Sequence, residues 1–175
     1  MIFCAETFYE NGMIPSNEGG VLLRRGLRFT IPNQYGQFLK AILSPIPLDS
    51  YQWNVVDEES YIVKDGQLDR LLFPESTVID GHQFAELLTY HEHYLIFVDI
   101  KAFQPNMSSE IVTYEDFLHS TCEFALLVTD SQDVTIYCKD QEMLNSLYQN
   151  ASWYGFEDVT YITRHNDSRT RLSCW

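Results

Sequence analysis

Apolar positions along this chain switch between two spacings, and residues that start or stop an element mark most of the switches. The pattern is clearest from 124 to 163. FALLVTD is an apolar run of strand length, Ser131-Gln132-Asp133 turns it back into VTIYC, and Met143, Leu144, Leu147, Tyr148 and Ala151 then recur three and four apart, as one face of a helix requires. Asp140 is placed to cap that helix, because its carboxylate can accept from N–H groups that lack a partner inside the first turn. Gly155 is placed to take the left-handed conformation at the helix end, with Phe156 folding back over the last turn and VTYIT following as a strand.

The same reading extends to the rest of the chain. Residues 27–31 alternate as a strand, Pro32-Asn33 stops it, and Asn33 can cap a helix carrying Tyr35, Phe38, Leu39, Ile42 and Leu43, which Pro45 and Pro47 end. YQWNVV and SYIV flank Asp57-Glu58-Glu59 and predict a hairpin; the Asp65-Gly66 turn then leads to a strand LDRLLF. Asp80 caps a helix with Gln83 at its capping-box position and Phe84, Leu87 and Leu88 inward. HYLIFVDIKAF, residues 93–103, is apolar on both faces and predicts a central strand. Thr113 and Asp116 form a capping box before Tyr114, Phe117 and Leu118, and RLSCW reads as a final short strand after the polar turn RHNDSRT. The expected fold is α+β: a single domain over 26–175, with a mixed or mainly antiparallel sheet and three to four helices packed on it. Residues 1–25 form an N-terminal extension or hairpin of undefined order.

Composition narrows the function classes. The 25 acidic residues against 11 Lys and Arg give a net charge of -14, which repels nucleic-acid phosphates, so direct nucleic-acid binding is disfavoured; the plain reading is a well-solvated surface, and the sharper one a surface that docks on a basic protein partner or mimics nucleic acid. Asp57, Glu58 and Glu59 form the densest acidic run and are a candidate binding segment. Tyr51, Trp53, Tyr61, Tyr90, Tyr94, Trp153 and Tyr154 exceed what a core alone needs, which leaves some of them for a protein-binding face. Cys4, Cys122, Cys138 and Cys174 lack metal-knuckle or CxxC spacing, and Cys122 and Cys138 sit among apolar strand residues as small hydrophobes, which fits a reducing compartment. The first residues carry Glu6 and Glu10 without a basic stretch, and no apolar run reaches membrane length; a cytoplasmic protein with no membrane contact is expected.

Candidate chemistry is sparse. Asp99 and Lys101 fall on one face of a strand, as in the (D/E)xK element in which a carboxylate holds Mg²⁺ and a lysine orients water; the plainer alternative is an ion pair at a strand end near the sheet edge. The nearest good candidate for the second carboxylate such a site needs, Asp80, is separated from Asp99 by a predicted helix. His91 and His93 could share a face toward zinc, but no third ligand stands at a matching spacing, and exposed turn residues are the simpler reading. Arg164, His165, Asp167, Arg169 and Arg171 make the most concentrated basic cluster, able to clamp a carboxylate or phosphate, or to offset the protein's own acidity. No nucleophile elbow or phosphate loop is present, and no cofactor or metal is called for.

The segments GLRFTIPNQYGQFL, YQW, YLIFVDIKAF, TYEDFL, VTDSQDVTIYCKDQEMLNSLYQNA and GFEDVTYIT with NDSRTRL together resemble a family of small acidic bacterial proteins, mostly from Firmicutes, known only as a domain of unknown function. The resemblance covers about residues 26–175; it implies a bacterial cytosolic setting and no activity or catalytic residue. The reading is a non-enzymatic interaction protein, of immunity or inhibitor type, binding a basic protein partner through an acidic, aromatic-bearing surface. The alternatives are a small metal-dependent hydrolase or ligand-binding protein using Asp99 and Lys101 or the cluster from Arg164 to Arg171, and a nucleic-acid mimic.

Overall fold

The strand His93–Phe103 (β7) holds the sheet together, as its two apolar faces predict. The computed structural model describes residues 13–15, 21–56, 59–73 and 77–174. One edge of β7 pairs with β8 (Cys122–Thr129), which pairs with β9 (Asp133–Cys138), which pairs with β2 (Val21–Thr30). β2 is also bonded by β1 (Met13–Pro15) and by β10 (Glu157–Thr163). The other edge of β7 carries β3 (Gln52–Val55), itself paired with β6 (Thr77–Asp80), and β4 (Glu59–Lys64), itself paired with β5 (Gln67–Leu71). The described residues thus form a ten-stranded sheet, antiparallel at every pairing, with four α-helices in an α+β fold.

The hairpin expected around Asp57-Glu58-Glu59 does not form. β3 and β4 run in the same direction, one after the other, along β7: Gln52 lies opposite Phe103, Val55 opposite Ile100, Tyr61 opposite Tyr94 and Ile62 opposite His93. The turn that does reverse the chain is Asp65-Gly66, with φ of 53° and 74°, the backbone a tight hairpin needs and Asp-Gly supplies. Three acidic residues have no such preference.

Alternation divides the sheet into two covered faces. On the first, Leu27, Trp53, Ile100, Phe124, Leu126 and Ile136 pack under α1 (Phe38–Leu43), α2 (Gly81–Tyr90) and α4 (Gln141–Trp153). On the second, Phe103, Ala125, Tyr137 and Ile162 meet Phe117 of α3 (Tyr114–His119), Ile111 and Leu172. The C-terminal segment, expected as a strand, crosses this second face without joining the sheet. Leu172 plugs its core, the Leu172 amide donates to the Val112 carbonyl at 2.8 Å, and the Cys174 thiol donates to the Val98 carbonyl at 3.0 Å.

Most expected caps form. Asp80 accepts from the His82 and Gln83 amides, Asp140 from the Glu142 and Met143 amides, and Thr113 with Asp116 makes a full capping box. Gly155 has φ 73° and the Phe156 amide donates to the Ala151 carbonyl at 3.1 Å, closing α4 and stacking Phe156 on Phe29. Asn33 does not cap α1; its Oδ1 accepts from the Tyr94 hydroxyl instead, and the helix starts later, at Phe38.

Gly26 is required by close approach: a Cβ there would lie 1.8 Å from the Ile136 carbonyl oxygen. The neighbouring irregularity in the β2–β10 pairing sends the adjacent arginines apart. Arg24 lies over the Tyr161 ring and Arg25 over the Tyr114 ring.

Candidate functional site

Strand alternation puts Asp99 and Lys101 on one face, and pairing places Lys101 between Asn54 of β3 and Ala125 of β8. The position is the middle of the second sheet face, not a strand end near the edge as expected, because β3 and β8 continue the ladder on both sides. Asp99 is 2% and Lys101 5% exposed, and the Lys101 ammonium donates to Asp99 Oδ1. A buried carboxylate and ammonium must be paired to be tolerated there, and they pair with each other.

Above this ion pair lies a cleft of about 260 Å³. Its floor is Asn54, Asp99, Lys101 and Phe103, its walls the 109–112 loop with Glu110, and the C-terminal segment with Arg171. The structure thereby brings Asp99, Lys101 and Arg171 together. The Oδ1 of Asn54 is shielded from solvent and has no hydrogen-bond partner. Sequence reasoning missed Asn54; a polar residue at an inward position between Trp53 and Val55 was the available signal.

The remainder of the basic cluster goes elsewhere. Arg164 and His165 are exposed in the turn after β10, and Arg169 donates from Nη1 to the Ser173 carbonyl at 3.1 Å, tying the C-terminal segment to itself. Asp167 turns inward. Its side chain is 3% exposed and accepts from Arg25 Nη1 at 3.0 Å, from the Tyr137 hydroxyl at 2.8 Å and from the Arg169 amide at 3.3 Å. Burial first, and the bond to Asp167 second, push the Tyr137 phenol above its ordinary range. This cluster therefore pins the C-terminal segment over the second face and so builds one wall of the cleft.

His93 is fully buried, not an exposed turn residue as expected. Its Nε2 accepts from the Leu39 amide at 3.2 Å, an orphan donor of the first turn of α1. Among the described residues no group of three or more His, Cys, Asp or Glu could hold a metal ion. Asp57 and Glu58 lie outside the described residues; Glu59 is half-buried in β4 and accepts from the Tyr61 hydroxyl at 3.4 Å.

A second feature stands at the far end of α4. Trp153 is 78% and Tyr154 44% exposed, their rings edge to face at 4.8 Å, and Tyr154 stacks on Phe156. Tyr154 lines a groove of about 450 Å³ together with Pro32, Phe38, Lys40 and Gly155. Glu157 and Asp158 follow directly, both exposed.

A family model described as "Protein of unknown function (DUF2691)" matches residues 24–173, from Arg24 above Tyr161 to Ser173 at the cleft. The chain belongs to the DUF2691 family. It is also 42% identical over 153 residues, 86% of this chain and 99% of the relative, to the uncharacterised protein YncE of Bacillus subtilis (strain 168). No solved structure matches the chain. In this DUF2691 protein every residue of the cleft, the Asp167 anchor and the Trp153 corner falls within the matched span. Burial pushes the thiols of Cys122, Cys138 and Cys174 up to about 12, which removes them as thiolate nucleophiles. No described helix is long and apolar enough to cross a membrane.

Proposed function

We propose that this DUF2691 protein is a cytoplasmic, non-enzymatic interaction module, of inhibitor or immunity type, that docks a basic protein segment on the corner formed by Trp153, Tyr154, Glu157 and Asp158. The carrying observation is the exposure of two aromatic rings, packed edge to face, beside two exposed carboxylates. An aromatic face attracts a guanidinium or ammonium, neighbouring carboxylates hold its charge, and a net charge of -14 draws a basic partner in from a distance. A non-enzymatic role is supported by the engagement of the candidate catalytic groups: Asp99 holds Lys101, Asp80 caps α2, and the thiols of Cys122 and Cys138 are buried.

The test is retention of an arginine-containing peptide library on the immobilised protein at low and moderate salt. Retention that weakens with salt and disappears when Trp153→Ala and Tyr154→Ala are combined supports the reading. Equal retention by wild type and the double variant overturns it.

A further inference from the structure

The cleft on the second sheet face is not needed for the docking corner, which lies at the end of α4, yet it concentrates the polar groups that the interior would otherwise avoid. Four separate parts of the chain supply them: Asn54 from β3, Asp99 and Lys101 from β7, Glu110 from the loop after β7, and Arg171 from the C-terminal segment.

Two of these groups have unused hydrogen-bonding capacity. An ammonium has three N–H donors, and among the described residues that of Lys101 donates to Asp99 alone. The Asn54 Oδ1 is a buried acceptor without a donor, a state that native interiors avoid. Surplus donors and a lone acceptor thus stand on neighbouring strands at one register level, since Asn54 and Lys101 are paired residues.

Charge and size restrict the occupant. Asp99 and Glu110 offset Lys101 and Arg171, so the cleft is formally neutral with separated charges, within a chain of net charge -14. A free anion must approach against that overall field, whereas a zwitterion has no net charge to be repelled. A volume of about 260 Å³ falls below the roughly 300 Å³ at which pockets for larger organic ligands begin, which excludes a nucleotide and admits an amino acid. Phe103, Ile111 and Val56 provide apolar wall for a side chain.

We propose that this cleft binds a free α-amino acid. The carboxylate is met by Lys101 and Arg171, and the ammonium donates to Asn54 Oδ1 and faces Glu110. Bidentate guanidinium and charge-assisted amide contacts of this kind are the ordinary means of holding such ends.

The experiment is a titration of the ¹⁵N-labelled full chain with each of the twenty L-amino acids singly at millimolar concentration, followed by NMR and thermal melting. Succinate, which has carboxylates without an ammonium, and inorganic phosphate serve as comparison ligands. The expected result is a saturable shift of the Asn54 side-chain amide, with a raised melting temperature, for at least one amino acid and for neither comparison ligand. Arg171→Ala, at an exposed rim position, and Asn54→Leu each weaken binding roughly tenfold or more, the loss of about one charge-assisted bond. If Asn54→Leu does not fold, Arg171→Ala alone decides. No amino acid shifting the spectrum, succinate or phosphate binding equally well, or an unchanged affinity in Arg171→Ala would each overturn the proposal.

Discussion

His93 caps a helix that lies fifty-four residues earlier in the chain: its Nε2 accepts from the Leu39 amide at 3.2 Å, while Nδ1 faces the His91 carbonyl at 3.3 Å. An amide can only donate, so Nε2 is the bare nitrogen and Nδ1 carries the proton. The Gly36–His93 bridge, with bonds of 2.9 and 3.0 Å, holds the two segments in place. The cap is needed because the N-cap residue Gln37 makes no side-chain capping bond.

Protonation of His93 destroys this arrangement, which makes stability pH-dependent. Burial, the largest cause, lowers the pKa from 6.5 to about 4. The unfolded chain therefore takes up the proton first, so the contribution is complete above pH 6.5 and is lost as pH falls toward 4. At one pKa unit per 1.36 kcal/mol, the loss is about 3 kcal/mol. Urea unfolding across this window should show the decline. His93→Gln, which keeps an acceptor but cannot titrate, should flatten it; an unchanged slope in that variant would show that other groups carry it.

The Asp99–Lys101 pair gives a second prediction. Removing one partner strands a buried charge, and Lys101→Met should cost about 3–5 kcal/mol, whereas Asp99→Asn with Lys101→Met should recover much of that loss. Equilibrium unfolding of the singles and the double gives the coupling. Additive losses would mean that the two side chains act independently despite their contact.

The anchor at Asp167 gives a third. Asp167→Asn takes the charge from beneath Arg25 and weakens the bond from Tyr137, at an expected cost of about 2–3 kcal/mol. Because Asp167 helps to raise the Tyr137 phenol, the variant should also titrate that phenol at lower pH, read from its ultraviolet absorbance. Faster hydrogen exchange at the Leu172 amide would show that the C-terminal segment has loosened; unchanged exchange would place its anchorage elsewhere.

How far such features could be read from sequence follows from the range of the interaction that makes them. Caps at Asp80, Thr113 and Asp140, the turn at Asp65-Gly66 and the α4 terminus at Gly155 depend on a few neighbouring residues, and all were legible. The central place of β7 was legible too, because burial on two faces removes polar alternation. Alternation is the same, however, whether two strands pair with each other or pair in turn with a third, so β3 and β4 were misread as a hairpin. Asp99 and Lys101 could be assigned to one face but not to its middle, since Leu172, Ile111 and the loop that cover it are set by distant packing. Arg171 and Arg164 look alike in a basic turn. Leu172 beside Arg171 inserts in the second core and draws that arginine to the cleft, while Arg164 remains at the surface.

Two tryptophans give the last prediction, because the same substitution should have a large effect at one position and almost none at the other. Trp53 is fully buried, stacks on Phe84 at 4.3 Å, and donates from Nε1 to the Leu48 carbonyl at 3.0 Å. Trp53→Ala removes the largest side chain of the main core and should cost about 3–5 kcal/mol, a large fraction of the roughly 5–15 kcal/mol of an ordinary domain. Trp153 touches mainly Tyr154, and Trp153→Ala should change stability by no more than about 0.5 kcal/mol. Thermal and urea unfolding of both variants decides the matter. A core role predicts similar losses at the two sites, and such a result would remove the basis for docking at this corner. A stable Trp153→Ala protein that no longer retains basic peptides would instead show that the ring is kept at the surface for contact with another molecule.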